Sequence, residues 1–449
     1  MTAYATSRDG IPPRPAPPIM QPDIDLEAER RALQAAAERL APYIRETPTV
    51  YSYTFSDATG GDVHLKLENL QRTGSFKVRG ALNKILQLTD AERGRGLVAA
   101  SAGNHAQGVA LAAQLAGCSA KIVMPVATAI TKVERTRGYG ADVVLHGDNY
   151  DEAAAHAVEL VEAEGRTPVH PFDDWEIIRG QGTVGLEILR QVPEIRSVVL
   201  PIGGGGLIAG VAIALKAEAR ALGRSIEIVG VQAEGASPMV QSIQEGEKRV
   251  VENPRTLAEG IRVGKVGERT YEVVRHLVDR TLTVTEDEIA RSVVELMEKN
   301  KVVAEAAAVT PIAALLTGKV RAQEPLAAVI SGGNIDLTVL GRLIESGLSN
   351  RGNLHRIHLR VDDEPGTLRR VLAAVEGVRG NILDVRHDRA GWKVPVGAVD
   401  LDLLVELRSG DLGVRIERAL TAEGFRILEL VPERRGAGAG KRASGGTAS

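Results

Sequence analysis

The sequence predicts an α/β fold in which a parallel, doubly wound sheet is followed by a small βαββαβ unit. Three observations carry this reading. Between about residue 60 and residue 346, short runs of Val, Ile and Leu alternate with longer helical patterns. Those runs are mostly continuous rather than alternating, as in strands buried on both faces. From residue 355 the order becomes strand, helix, strand, strand, helix, strand, a ferredoxin-like arrangement.

The bulk numbers agree. A chain of 449 residues allows about three domains at roughly 150 residues each. Hydrophobic content of 44% and charged content of 25% are ordinary for a globular protein. With 55 basic and 58 acidic residues the net charge is −3, which offers no footprint for nucleic acid or an anionic membrane. The one cysteine, Cys118, excludes an internal disulfide framework and fits a reducing compartment; it reads as a small buried residue. Residues 1–24 hold six prolines between Pro12 and Pro22 and lack the apolar core of a signal peptide, so they read as a disordered leader. Residues 435–449 are rich in Gly, Ser and Ala and read as a disordered tail. No window approaches about 18 uninterrupted apolar residues, so the expected location is the cytoplasm.

Taken in order, "DVHLKLENL" alternates at Val63, Leu65 and Leu67 and predicts a strand. "RTGSFKVRGALNKIL", residues 72–86, carries Val78, Ala81, Leu82, Ile85 and Leu86 at helical spacing. "GLVAA" leads through "SAGN" into the helix "HAQGVALAAQLAG". The strands "AKIVMP" and "ADVVLHG" precede the helices "TAITKVERTRG" and "YDEAAAHAVELVEAEG". "RSVVLPI" runs through "GGGG" into "LIAGVAIALKAEAR", and "IEIVGVQAE" follows. "PLAAVI" leads through "SGGN" into "IDLTVLGRLIESG". After a linker at 349–354, residues 355–434 supply the βαββαβ unit, from "HRIHLRV" to "FRILELV".

In such sheets ligands bind where strands end and loops enter helices. Three junctions here are rich in Gly, Ser and Asn, at 101–104, 203–206 and 331–334, which suggests one shared anionic ligand. Lys77 lies on the edge of its helix's apolar stripe and in the first turn. Packed surroundings and the positive end of the helix dipole both favour the neutral amine that Schiff-base chemistry needs. On spacing alone, a solvated lysine remains the plain alternative. Gly203, Gly204, Gly205 and Gly206 before a helix fit a phosphate cradle or simply a tight strand–helix turn. Gly204, Gly206 and Ala209 also match a loose dinucleotide fingerprint. Ser101 and Asn104 offer a hydroxyl and an amide, Ser331 a second hydroxyl or a turn, and His105 a capping or supporting ring. No transition-metal spacing, nucleophile elbow or Cys/His nucleophile appears, which raises the standing of Lys77.

Taken together, "GSFKVRGA", "ASAGNHAQG", "HPFDD", "GQGTVGLEI", "PIGGGGLIAG", "LAEGIRV", "VAEAAAV" and "ISGGNID" resemble the threonine dehydratases. These are pyridoxal-phosphate enzymes of the tryptophan synthase β-like fold, fold type II, close to serine racemases and serine dehydratases. The resemblance runs from about residue 30 to 346. It implies a catalytic region at 25–348, with a smaller subdomain of about 66–160 inserted in a larger one. It also implies that Lys77 carries the cofactor as an imine and that Phe76 packs beside its ring. Asn104 would bond the pyridoxal hydroxyl, and Gly203 to Gly206 with Leu207 would hold the phosphate. Ser331 would face the pyridine nitrogen, Gly260 and Glu305 would line the ring, and Ser101 with its loop would receive the substrate carboxylate. The implied reaction is β-elimination of water from L-threonine, giving 2-oxobutanoate and ammonia, with L-serine as a secondary substrate.

Two departures sharpen this. Serine racemases place a second serine where this chain has Ala102, so racemisation is disfavoured. Glu234 matches the first ligand of their divalent-metal site, but Val240 stands at the second, so no divalent metal is expected there, and a monovalent cation held by carbonyls stays open. The C-terminal unit, with "DDEPGTL" and "RGNILDVRHDR", resembles an ACT domain, which implies amino-acid regulation, isoleucine being the leading effector. Asp363, Gly366 and Asn381 lie in the matching loops. The expected assembly is a homo-oligomer, dimer or tetramer. A serine dehydratase or racemase of the same fold is the nearest alternative. A nicotinamide oxidoreductase would need an acid about 20 residues beyond the glycines. Glu234 lies further on, and Lys77 would stand idle. A non-catalytic amino-acid sensor is the third reading.

Overall fold

The computed structural model describes residues 24–321, 323–350, 354–389, 394–406 and 412–432. Residues 1–23 of the expected leader, linker residues 351–353 and the expected tail lie outside that set. In chain order the strands of the first two sheets are β1 (Thr49–Tyr51), β2 (Val63–Leu67), β3 (Leu97–Ala100), β4 (Ala120–Met124), β5 (Asp142–Leu145), β6 (Thr167–Pro168), β7 (Ser197–Pro201), β8 (Glu227–Ala233), β9 (Arg280–Val284) and β10 (Leu326–Ile330). The third sheet holds β11 (Leu354–Asp362), β12 (Asn381–Asp388), β13 (Ala398–Glu406) and β14 (Arg426–Pro432).

The large sheet has the order β1-β2-β10-β7-β8-β9 and is parallel except for the edge strand β1. The smaller sheet, β5-β4-β3-β6, is wholly parallel. Every residue of β7 and of β10 is buried, as their unbroken apolar runs require in strands covered on both faces. The chain leaves the large sheet after β2, builds the smaller one and returns at β7. The expected inner bounds of 66–160 therefore move. Lys66 lies within β2, opposite Val329 of β10, and the smaller sheet reaches Pro168. Pairing between strands so distant in sequence leaves no local trace.

The helix within 72–86 runs Lys77–Leu86, with Lys77 in its first turn as expected, and residues 72–76 form a loop that bridges Ser75 to Gly332. Its buried residues include Val78, Ala81, Leu82 and Ile85, the expected stripe. "GQGTVGLEI", whose glycines argue against a helix at about 1 kcal/mol each, lies inside the helix Trp175–Gln191. Packing supplies the reason. A Cβ on Gly180 would lie 2.6 Å from the Cα of Gly80 in the Lys77 helix. A Cβ on Gly182 would lie 2.7 Å from the carbonyl of Gly210 in the helix Gly206–Ala221. One helix thus carries, at close approach, both the helix that begins with Lys77 and the helix that follows the junction at 203–206.

The C-terminal sheet has the order β12-β13-β11-β14 and is antiparallel throughout. Along β13 buried and half-buried residues alternate, the mark of a sheet covered on one face. Its core, with Ile357, Leu359, Val371, Leu401 and Leu403, is separate from those of the other sheets. Cys118 is half-buried rather than buried, its thiol 3.7 Å from the Ala113 carbonyl. Among the described residues no helix is long and apolar enough to cross a membrane.

Candidate active site

The three junctions converge. The Phe76 amide donates to the Ser331 carbonyl at 3.2 Å, and the Gly333 amide donates to the Gly74 carbonyl at 2.8 Å. These bonds fasten the loop before Lys77 to the turn that ends β10. From the end of β3, Asn104 Nδ2 donates to Glu305 Oε1 at 2.7 Å, while the Glu305 amide donates to the Gly332 carbonyl. A Cβ on Gly260 would meet Glu305 Oε1 at 3.2 Å, and one on Gly203 would meet the Gly260 carbonyl at 3.5 Å. Gly203, Gly260, Glu305, Asn104 and Gly332 therefore stand side by side.

Lys77 opens the helix that follows the fastened loop. Its Nζ donates to the Pro171 carbonyl at 2.8 Å and lies 5.4 Å from the centroid of the Phe76 ring. Burial brings the amine down to about 8, against the pull of the Glu305 carboxylate. Glu305 moves the other way: burial pushes its carboxyl up to about 7, opposed chiefly by the bond from Asn104. An amine and a carboxyl that both change charge near neutrality are suited to proton transfer.

Gly206 begins its helix, and Gly205 before it adopts left-handed backbone geometry (φ 95°). The Leu207 side chain is packed in the core, so only its backbone is left for a ligand. The glycines are crowded by the segment His170–Asp174, quoted above only as a motif. The Phe172 ring lies where a Cβ on Gly204 would be, and the Cβ and backbone of Phe172 lie 3.0–3.2 Å from where one on Gly206 would be. His170 Nδ1 accepts from the amides of Asp173 (2.7 Å) and Phe172 (3.2 Å), so a neutral ring carries its proton on Nε2. Asp173 accepts from the amides of Glu268, Arg269 and Thr270 at the head of the helix Glu268–Leu277, and Thr270 Oγ1 donates to the Gly204 carbonyl at 2.7 Å. Composition gave no hint of this brace, since its partners lie about a hundred residues apart.

The remaining expected residues fall as follows. Ser101 ends the β3 junction, its amide bonded to Val123 O and its Oγ accepting from the Gly103 amide at 3.2 Å. Ser331 is buried at the end of β10. His105 is buried with Nε2 3.0 Å from the Val169 carbonyl. Burial, reinforced by Lys77, depresses it to about 3, so it is a neutral support. Asp363 pairs with Arg389 at 3.2 Å, and Gly366 caps the 11-residue helix Thr367–Gly377. Asn381, which donates to Glu406, lies beyond that helix's other end, so one copy of the chain does not gather the three.

Beneath the site lies a second group of charges. Arg79, two residues after Lys77, is fully buried and uses all five of its N–H donors. Glu68 receives two of them at 2.7–2.8 Å, Glu187 two at 2.7–2.9 Å, and Thr183 one at 3.1 Å. Lys66 Nζ donates to Glu187, the Thr47 carbonyl and Gln191. Burial works against the guanidinium, but Glu68 and Glu187 outweigh it and hold its pKa above the ordinary value. Two cations and two anions thus join β2, the Lys77 helix and the Trp175–Gln191 helix.

A near-neutral buried amine, glycines at a helix head that Cβ atoms would fill, and an Asn–Glu pair beside them fit a phosphorylated aldehyde cofactor with a polar ring. The comparisons agree. A model of the pyridoxal-phosphate-dependent enzymes matches residues 40–332, and the chain belongs to this family, with pyridoxal 5′-phosphate as its cofactor. Family membership displaces the dinucleotide and sensor readings. An L-threonine ammonia-lyase of Thermotoga maritima is 44% identical over 395 residues, 88% of this chain and 98% of its own. Threonine deaminase isoform 2 of Solanum lycopersicum superposes with a TM-score of 0.68 at 38% identity, covering 72% of this chain and 88% of its own. A maize serine racemase follows at 0.66 and 34% identity, covering 72% and 98%.

Proposed function

We propose that the chain deaminates L-threonine to 2-oxobutanoate and ammonia by eliminating the β-hydroxyl as water, and acts more slowly on L-serine. The observation that carries this reading is the buried Lys77 amine, near-neutral at about 8 beside the Glu305 carboxylate. The names of the relatives support the choice of substrate.

Bound pyridoxal phosphate supplies an aldehyde that captures amines and a conjugated ring that takes up the electron pair left at the substrate α-carbon. The chain's own residues do the rest. Lys77 would hold the cofactor through its amine and, when that amine is free, would take the substrate α-proton as general base. Gly203 to Gly206 and the Leu207 amide hold the phosphate at the helix head. Phe76 packs beside the ring, and Gly260 and Glu305 line it. Asn104 donates to the ring hydroxyl, having one amide proton left after its bond to Glu305. Ser331 would face the ring nitrogen, where a hydroxyl would not hold a proton on it as a carboxylate would, an environment that would favour expulsion of a β-leaving group. Ser101 and the amides of its loop receive the substrate carboxylate. Ala102 supplies no acid for the opposite face, which sets this reading above a racemase.

The C-terminal unit acts as an ACT-type regulatory domain with isoleucine as effector. Because one copy separates Gly366 from Asn381 by the length of a helix, about 16 Å, an effector site uses two copies, in keeping with a cytoplasmic homo-oligomer. The decisive experiment assays keto acid and ammonia from threonine and serine for wild type and Lys77→Ala, with and without isoleucine. We expect Lys77→Ala to lose turnover and the borohydride-sensitive chromophore together. Full deamination by that variant refutes the role of Lys77, and indifference to isoleucine refutes the regulatory reading.

A further inference from the structure

Asn334 closes the "SGGN" turn and has no part in the reaction as described so far. Its Nδ2 donates to the Thr73 carbonyl at 2.7 Å and to Asn104 Oδ1 at 2.8 Å. Asn104 Nδ2 in turn donates to Glu305 Oε1 at 2.7 Å. The polarity of this chain is fixed at one end, because a backbone carbonyl only accepts. With both Asn334 amide protons committed, Asn104 must present its oxygen to Asn334 and its nitrogen to the cleft. An Asn104 turned the other way would set two nitrogens against each other and its oxygen against the Glu305 carboxyl. The arrangement also needs Gly74, whose left-handed backbone (φ 73°) and missing Cβ leave room for Asn334; a Cβ there would lie 2.6 Å from Asn334 Oδ1.

We propose that Asn334 is a positioning residue: by donating to both the Thr73 carbonyl and Asn104, it fixes which face of the Asn104 amide meets Glu305 and the cofactor's ring hydroxyl. This rests on the reading of Asn104 as the donor to that hydroxyl. Asn334 acts through Asn104 and touches neither substrate nor cofactor. Its signature is therefore electronic: the balance of the bound cofactor's two absorption bands and the pH at which they interconvert, both sensitive to a donor at the ring hydroxyl.

The test compares holoenzyme spectra, cofactor affinity and thermal midpoint for wild type, Asn104→Ala, Asn334→Ala, Asn334→Asp and the Asn104→Ala/Asn334→Ala double variant. The isosteric Asn334→Asp keeps the shape of the turn and removes both donors. We expect each Asn334 variant to shift the bands in the direction of Asn104→Ala and to weaken cofactor binding about tenfold, as loss of one well-made hydrogen bond does. The double variant should match Asn104→Ala alone, since a residue acting only through Asn104 adds nothing once Asn104 is gone. Asn334 variants with wild-type band balance, whatever their thermal midpoint, overturn the proposal, as do shifts that add to that of Asn104→Ala. If Asn104→Ala itself leaves the spectrum unchanged, the reading of Asn104 falls first and the proposal with it.

Discussion

Two sets of buried charges lie a few residues apart on the Lys77 helix, and they behave in opposite ways. In the lower set, Arg79 spends five donors and Lys66 three, each on a named acceptor, and the charges cancel. In the upper set, Lys77 has one carbonyl and Glu305 one amide as partner. Arg79, Glu68 and Lys66 are fully buried, whereas Lys77 and Glu305 are half-buried. Where partners are complete, Arg79 and Glu68 stay charged across the ordinary pH range, Glu68 held below its usual value against burial by Arg79. Where partners are too few, burial wins, and amine and carboxyl are pushed towards neutrality. Partners decide the outcome for Arg79 and Glu68, while Lys66, even with three acceptors, is still drawn below its ordinary value by burial.

The largest expected effect comes from breaking the lower set. Arg79→Met leaves Glu68 and Glu187 facing Lys66 alone and should cost about 3–5 kcal/mol, read as the urea unfolding free energy. Arg79→Met/Glu68→Gln restores the charge balance and should regain part of that loss. A single variant as stable as wild type would mean that the cluster fastens nothing.

Smaller effects distinguish the upper set in the cofactor-free protein. Between about pH 4.5 and 7 the folded chain keeps a proton on Glu305 that the unfolded chain releases, so stability falls as pH rises. Between about pH 8 and 10.5 the unfolded chain keeps a proton on Lys77 that the folded one has lost, so stability rises with pH. Each slope is worth at most about 3.5 kcal/mol, from roughly two and a half pKa units at about 1.4 kcal/mol each. Subtracting the pH–stability curve of Glu305→Gln from that of wild type should isolate the first slope, and Lys77→Met the second. Parallel curves would show that the two groups titrate as ordinary surface residues.

The smallest effect belongs to the C-terminal sheet, where the same chemistry is exposed. Arg360 forks onto Asp400 at 2.7 and 2.8 Å across β11 and β13, yet water competes for both. Arg360→Ala should leave the urea midpoint unchanged within error. A clear drop would mean that this face is covered in the assembled protein.

Much of this was legible in the sequence. The βαββαβ unit declared itself because β13 faces water on one side and alternates along its length. Lys77 could be placed at the margin of packed structure from its position beside Val78, Ala81 and Leu82. The three Gly/Ser/Asn junctions signalled a common ligand because parallel sheets gather such loops at one edge. What stayed hidden depends on distance or on packing overriding propensity. Gly180 and Gly182 argue against a helix until Gly80 and Gly210 are seen pressed against them. The pairing of Arg79 and Lys66 with Glu187 has no local signal, because Glu187 lies more than a hundred positions away. Asn334 looks like turn punctuation until its two acceptors are known.

The glycine-lined helix Trp175–Gln191 has a consequence for vitamer choice. Since the rod touches the carriers of both the amine and the anion cradle, the gap between them is gauged before any coenzyme enters. If Gly203 to Gly206 hold the phosphate as proposed, a B6 form with a longer or shorter anionic arm should bind less tightly than pyridoxal 5′-phosphate.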